Sequence, residues 1–299
     1  MKGNMMNWDL TIPQAILHAE KYNFDGKLVS RELDGTINST TYGKSVKRSK
    51  KLANALRKLG VNANDRVATI AWNNSRHFET YFAVSGMGAI LHTLNPRYSP
   101  DQLIYILNHA EDEVLIADPS FIPLVESVQD KLNTVSKIII ASSKDKIPEN
   151  NLQNLLSYEE LIQDESDQFD WPKVDENDAA SLCYTSGTTG NPKGVLYSHR
   201  STILHATSIS GGLGFNSSSS VLPVVPMFHV NAWGVPYCAL ISGMTLVLPG
   251  HALDGESLYE LVKQESVDSM LGVPTVWLGL LQYLEEKRLK LDTVDQVLV

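Results

Sequence analysis

The stretch Tyr184-Thr185-Ser186-Gly187-Thr188-Thr189-Gly190-Asn191-Pro192-Lys193-Gly194-Val195 decides how the rest of the chain is read. Seven of its twelve residues are Thr, Ser or Gly, and a lysine stands near its end. Such a loop offers backbone N–H groups with no bulky side chain in the way. Successive inward-facing N–H groups form a concave nest for an anion. Glycine lets the backbone come close to that anion. Hydroxyls add donors and can reach a bound Mg²⁺. The chemistry implied is polyphosphate binding.

A Walker P-loop needs G-x-x-x-x-G-K-[ST]. Here Lys193 follows Pro192 and precedes Gly194, so that pattern is absent. An apolar run from Ala179 to Tyr184 leads into the loop, and Gly194 to Tyr197 leads out of it. The loop therefore hangs between two expected strands, a placement that favours function over a surface linker.

Two further blocks point the same way. Pro226-Met227-Phe228-His229-Val230-Asn231-Ala232-Trp233-Gly234 follows a strand-like run, and Gly272-Val273-Pro274-Thr275-Val276-Trp277 opens a helix-like one. With Y-T-S-G-T-T-G-x-P-K-G-V these resemble the signatures of the acyl-adenylate-forming (AMP-binding) superfamily. That group includes acyl-CoA synthetases, adenylation domains and beetle luciferases. The Asn-Ala-Trp continuation is most similar to the medium- and long-chain fatty acyl-CoA synthetases. The resemblance runs from about Tyr42 to the C-terminus. The loop is its most specific part, and the Gly272 segment is weak alone.

The resemblance implies an α/β fold, the layered βα subdomains of the large N-terminal domain of such an enzyme. It implies ATP, Mg²⁺ and CoA as co-substrates and a fatty acid as the acyl donor. Thr185, Ser186, Gly187, Thr188, Thr189 and Gly190 would hold the β- and γ-phosphates. Thr185 would also face Mg²⁺, and Lys193 would supply a mobile positive charge. His229 would stand beside the carboxylate and the adenylate. Trp233 would cover an acyl tunnel or, equally, fill a core. Gly272, Val273, Pro274 and Thr275 would border the acyl chain. The resemblance also admits a homodimer and peripheral contact with a membrane. Within the superfamily, an aryl-CoA ligase or an amino-acid adenylation domain is the alternative, although the latter usually carries a pocket Asp and Ala232 to Tyr237 is apolar. Luciferase-type oxygenation is less favoured. A non-catalytic nucleotide-binding remnant is the alternative of a different class.

The family continues beyond this point with a Y-G-x-T-E motif, a ribose-binding Asp, a hinge and a small domain with a catalytic Lys. None appears in the 299 residues. The expectation is a chain resembling the first half of the enzyme, truncated at its C-terminus. Residues 1–299 alone are expected not to make acyl-CoA. The apolar end, Val294 to Val299, is expected to expose a strand edge.

Composition bounds the rest. The chain is 43% hydrophobic with a net charge of −9, ample for a packed core and contrary to general nucleic-acid binding. Lys44, Lys47, Arg48, Lys50, Lys51, Arg57 and Lys58 crowd one segment with apolar residues at helical spacing. That segment reads as an amphipathic helix with a solvated basic face. Cys183 and Cys238 form no metal or disulfide pattern, and no eighteen-residue apolar run exists. A cytoplasmic, reducing setting is expected.

Alternating runs predict strands at Arg66–Ala71, Val114–Ala117 and Lys137–Ile140. They predict helices at His77–Met87, from Ser99-Pro100-Asp101 onward and at Phe121–Leu132, hence a parallel sheet covered on both faces. Ser142 to Asp178, with nine acidic residues from Glu159 onward, reads as a polar surface connection holding a short helix near Tyr158. The expected division is a first βα subdomain over 1–175 and a second over 176–299. The remaining histidines, His18, His77, His92, His109, His199, His205 and His251, read as structural or surface.

Overall fold

The computed structural model describes residues 1, 3–5, 7–185 and 191–299. Its strands, in chain order, are β1 Lys27–Arg31, β2 Ile37–Thr41, β3 Arg66–Ile70, β4 Ile90–Thr93, β5 Asp112–Ala117, β6 Lys137–Ile140 and β7 Leu155–Ser157, then β8 Ala179–Thr185, β9 Lys193–Ser198, β10 Ser220–Pro223, β11 Thr245–Leu248, β12 Ser269–Leu271 and β13 Gln296–Leu298. The helices are α1 Ile12–Tyr22, α2 Tyr42–Lys58, α3 Ser75–Gly86, α4 Pro100–Ala110, α5 Ile122–Val128 and α6 Tyr158–Gln163, then α7 His199–Leu213, α8 Val235–Ser242, α9 Gly255–Gln264 and α10 Pro274–Lys287. One sheet has the order β7-β6-β5-β3-β4-β8-β9 and the other β13-β12-β10-β11-β1-β2. Every described pairing is parallel except β1–β2 and β8–β9.

The α/β layering matches the expectation, and so do the local signals. Ser99 caps α4 in a full capping box with Gln102, and Pro100 sits in its first turn. The helix expected from Phe121 is shorter, ending at Val128 with a 3₁₀ turn on either side. The expected division at 175/176 does not coincide with the division between sheets. β1 and β2 join the sheet built from the C-terminal half, while β8 and β9 complete the other.

The segment 142–178 is more than a connection. Its β7 extends the seven-stranded sheet, Phe169 is buried, and Trp171 packs against Gly86. Its acids also change the reading of α2. Lys58 pairs with Glu165 at 2.7 Å, Lys47 with Asp167 at 3.6 Å, and Arg48 with Glu159 at 3.0 Å. Arg57 lies 4.2 Å from the centre of the Phe169 ring. The basic face of α2 is thus partly covered by the acidic segment rather than wholly solvated.

Helix α3 joins the layers. All residues from His77 to Gly86 are buried, as a helix between two sheets requires. Its polar side chains are therefore paired. Ser85 Oγ donates to Ala180 O of β8 at 2.8 Å, and the Tyr81 hydroxyl donates to Met227 O beyond β10. Glu79 accepts from Arg48 and from Tyr158, each at 2.7 Å. The strand before the loop and the segment before His229 are thereby fixed to one helix.

Candidate functional site

β8 and β9 form an antiparallel hairpin in which Thr185 is paired with Lys193. Ser186, Gly187, Thr188, Thr189 and Gly190 lie outside the described residues. Both ends of the loop are exposed, so hydroxyl and ammonium are open to a ligand. The approach to Thr185 is rigid. Tyr184 makes a 2.6 Å bond through its hydroxyl to His109 Nδ1, and its carbonyl accepts the Tyr98 hydroxyl at 2.9 Å. Its ring centre lies 5.2 Å from that of His92. His92 Nδ1 meets Asp112 Oδ2 at 2.7 Å, both fully buried, and burial pushes the Asp112 carboxyl up. His92 and His109 are thus supports of the hairpin. Sequence gave no signal for this, because their partners are 20 and 75 positions away.

β10, shorter than the apolar run Val221–Phe228, ends at Pro223, and His229 follows in the loop beyond its carboxyl end. This is where open parallel sheets bind ligands. His229 is exposed rather than buried. The chain next makes an unusual turn. Val230, Asn231, Ala232, Trp233 and Gly234 have φ of 46°, 48°, 49°, 54° and 74°. Left-handed backbone costs about 1–2 kcal/mol per non-glycine residue. Strain of this kind gathers at ligand sites and switches. Trp233 is half-buried against the core, and Asn231 and Ala232 point inward.

Between this turn, α7 and β9 lies a cavity of about 270 Å³. Its walls include Tyr197, Thr202, His205, Val230, Asn231 and Tyr237. That volume is near the lower end for small-molecule sites, roughly 300 Å³. The Tyr237 hydroxyl is buried there without a hydrogen-bond partner, and burial raises its pKa.

Gly272, Val273, Pro274 and Thr275 leave the carboxyl end of β12 beside the 224–229 loop, since the Val224 and Val225 N–H groups both donate to Leu271 O. None is among the cavity's lining residues, and Val273 to Thr275 are exposed. The room beside Gly272 does not stay open for a ligand. A Cβ there would stand 2.4 Å from the Trp277 ring, so the glycine serves the indole. Among the described residues no group of three or more His, Cys, Asp or Glu side chains could hold a metal ion. A Mg²⁺ would depend on the Thr185 hydroxyl and on the phosphates it neutralises. No described helix is long and apolar enough to cross a membrane. Both cysteines are free and buried.

The chain is 46% identical over its whole length to a medium-chain-fatty-acid–CoA ligase of Ectopseudomonas oleovorans, of which it spans 55%. It is 45% identical, again over its whole length, to a 3-methylmercaptopropionyl-CoA ligase of Ruegeria lacuscaerulensis, spanning 56% of that protein. It is 47% identical over 98% of its length to a long-chain-fatty-acid–CoA ligase of Thermus thermophilus, spanning 52%. The chain thus spans about half the length of these relatives. In fold it matches an anthranilate CoA ligase crystallised with anthranoyl-AMP, with a TM-score of 0.87 over 99% of this chain and 56% of that one, at 21% identity. The model of the AMP-binding enzymes matches residues 18–299, and the chain belongs to that family.

Proposed function

We propose that this chain is the N-terminal part of an AMP-forming ligase that activates a medium-chain fatty acid with ATP and transfers it to CoA. One observation carries the reading. The hairpin that carries Thr185 and Lys193 also supplies, through Tyr197, a wall of the cavity that the Val230–Gly234 turn borders. In this reading the proposed phosphate donors and the proposed acyl cavity share one structural unit.

In the first half-reaction a carboxylate oxygen bonds to the α-phosphorus of ATP, and the bond to pyrophosphate breaks. In the second, the CoA sulfur bonds to the acyl carbon, AMP departs and the thiol proton is released. Two anions must meet in the first step, so fixed donors aimed at the phosphates contribute most. Thr185 and Lys193, exposed at the two ends of the loop, are the described residues we assign to that task. A bound Mg²⁺ would neutralise phosphate charge, with the Thr185 hydroxyl as its protein contact. His229, exposed beyond β10, would donate to the carboxylate or the adenylate in this reading. Trp233 covers the acyl cavity in this reading, and Val273 to Thr275, exposed beyond β12, would border its outer approach, while Gly272 serves the Trp277 indole. The two unpaired, buried thiols support a reducing, cytoplasmic setting, and it is the fatty acid substrate of this reading that would give the chain a role in lipid metabolism.

A second acid is favoured by one observation. The similarity to the 3-methylmercaptopropionyl-CoA ligase equals that to the medium-chain enzyme within one percentage point. Acid-dependent ATP–pyrophosphate exchange separates the two, assayed on a polypeptide carrying this chain at the length of its relatives. The reading predicts higher kcat/KM for octanoate than for 3-(methylthio)propionate. It also predicts that Trp233→Ala shifts chain-length preference while sparing the KM for ATP. The reverse order of acids moves the assignment to the thioether acid. An unchanged substrate profile in Trp233→Ala, with a lowered Tm, makes Trp233 a core residue.

A further inference from the structure

Four of the five left-handed residues from Val230 to Gly234 carry side chains. A β-branched valine resists this conformation most. Such a run persists only where its surroundings over-determine it. Two side chains do so, from opposite faces. On the outer face, His205 of α7 places Nε2 3.0 Å from the Trp233 carbonyl. A carbonyl accepts, so Nε2 carries the proton. The same imidazole abuts the next residue, since a Cβ on Gly234 would stand 2.7 Å from His205 Cδ2. On the inner face, Asn231 Oδ1 accepts from Ser181 Oγ at 3.2 Å and from Cys183 Sγ at 3.7 Å. Its Nδ2 donates to the Tyr81 hydroxyl at 3.2 Å.

We propose that His205 and Asn231 are positioning residues that clamp the Val230–Gly234 turn shut over the cavity, His205 from α7 and Asn231, within the turn, through its bonds to Ser181 and Cys183 of β8. Neither touches reacting atoms, and both act through the turn's backbone. Ser181 and Cys183 stand on β8, the strand that ends at Thr185, so the inner half of the clamp ties the cavity's cover to the phosphate hairpin. The clamp rests on geometry alone. Its consequence for an acyl chain rests on the reading that this cavity receives one. Releasing His205 lets the left-handed run relax, which opens the cavity and uncovers Cys183. That thiol lies against the backbone N–H groups of Val230 and Asn231 and is 4% exposed. Cys238, on α8 and fully buried, serves as an internal reference for global opening.

The test labels the native 1–299 chain with N-ethylmaleimide and follows each cysteine separately by peptide mass spectrometry. His205 is exposed, so His205→Ala leaves the core intact. The clamp predicts that His205→Ala raises the Cys183 rate relative to Cys238 by roughly fivefold, the factor one neutral hydrogen bond gives an opening equilibrium. His205→Gln keeps a donor and returns the ratio toward wild type. Asn231→Ala removes three bonds and raises it further. A Cys183/Cys238 ratio unchanged in His205→Ala, or equally raised in His205→Gln, overturns the outer half of the clamp. An unchanged ratio in Asn231→Ala overturns the inner half. Labelling needs no acid, so failure here is distinct from failure of the acyl-cavity reading, which the octanoate and Trp233 assays address.

Discussion

Thr185 and Lys193 face each other across the antiparallel ladder of β8 and β9, one residue at each end of the Gly/Ser/Thr loop. Paired positions in such a ladder lie about 5 Å apart. A hydroxyl and an ammonium therefore flank the loop. If Lys193 meets the phosphates as proposed, Lys193→Ala removes a charge-assisted contact worth about 1.5–3 kcal/mol. The expected outcome is a roughly 10- to 100-fold weaker Kd for MgATP by calorimetric titration. Thr185→Ala weakens binding less, since it removes a neutral donor. Affinity that is insensitive to Lys193 would place the phosphates elsewhere.

Arg48→Ala tests how the layers are held together. Arg48 joins Glu79, whose side chain is 3% exposed, to Glu159. Without Arg48, Glu79 keeps only its hydrogen bond from Tyr158 and is a buried acid with no cation beside it, at a cost of about 3–5 kcal/mol. Urea unfolding should show that loss. Removing Glu79 as well should recover part of it.

Stability should depend on acid through two histidines. Burial lowers the pKa of His77 to about 4 and of His199 to about 4 from 6.5, with the Trp72 carbonyl and Asp178 only partly offsetting it. A folded value below the unfolded one gives stability that is full above pH 6.5 and declines as pH falls toward 4. Each site is worth up to about 3 kcal/mol over that window. The Ile12 N–H donates to His199 Nδ1 at 3.2 Å, a bond that protonation abolishes and glutamine can replace. His199→Gln should therefore lose less stability than wild type between pH 7 and pH 4.5. Asp118, raised by burial to about 7, favours acid, but it is present in both proteins and cancels in the comparison. Identical pH profiles would show that His199 is not held neutral.

Gly272→Ala should destabilise the chain by about 1–3 kcal/mol through overpacking against Trp277. Thermal unfolding measures this, and MgATP affinity should stay at the wild-type value. A neutral substitution would mean that the indole moves freely and that the glycine leaves room after all.

Much of the layering was legible because its signals are local. The apolar strand runs, the Ser99 cap and the loop between two strands each lie within one short window. What was not legible depends on partners far apart in sequence. The cover of α2 by Glu159 to Phe169 pairs residues more than a hundred positions apart. The exchange of β1–β2 and β8–β9 between sheets also follows from tertiary pairing, to which period-2 patterns are blind. In the site, Thr185, Lys193, His229 and Trp233 could be named from motifs. His205, His109 and Asn231 could not be given roles, because a hydrogen bond to a distant carbonyl, hydroxyl or thiol leaves no spacing to read. The left-handed turn was hidden as well, since Val, Ala and Trp predict right-handed or extended backbone and only Asn231 and Gly234 favour the left-handed region.

On the proposed reading the β8–β9 hairpin and the adjoining cavity together activate a carboxylate with ATP. Octanoate-dependent ATP–pyrophosphate exchange tests it most directly, in a polypeptide carrying this chain at the length of its relatives, with and without Thr185→Ala and Lys193→Ala. The account predicts exchange that requires the acid and falls by roughly 10²–10³ when one hairpin donor is removed. Exchange that proceeds without a carboxylate, or persists near wild-type level in both variants, would contradict it.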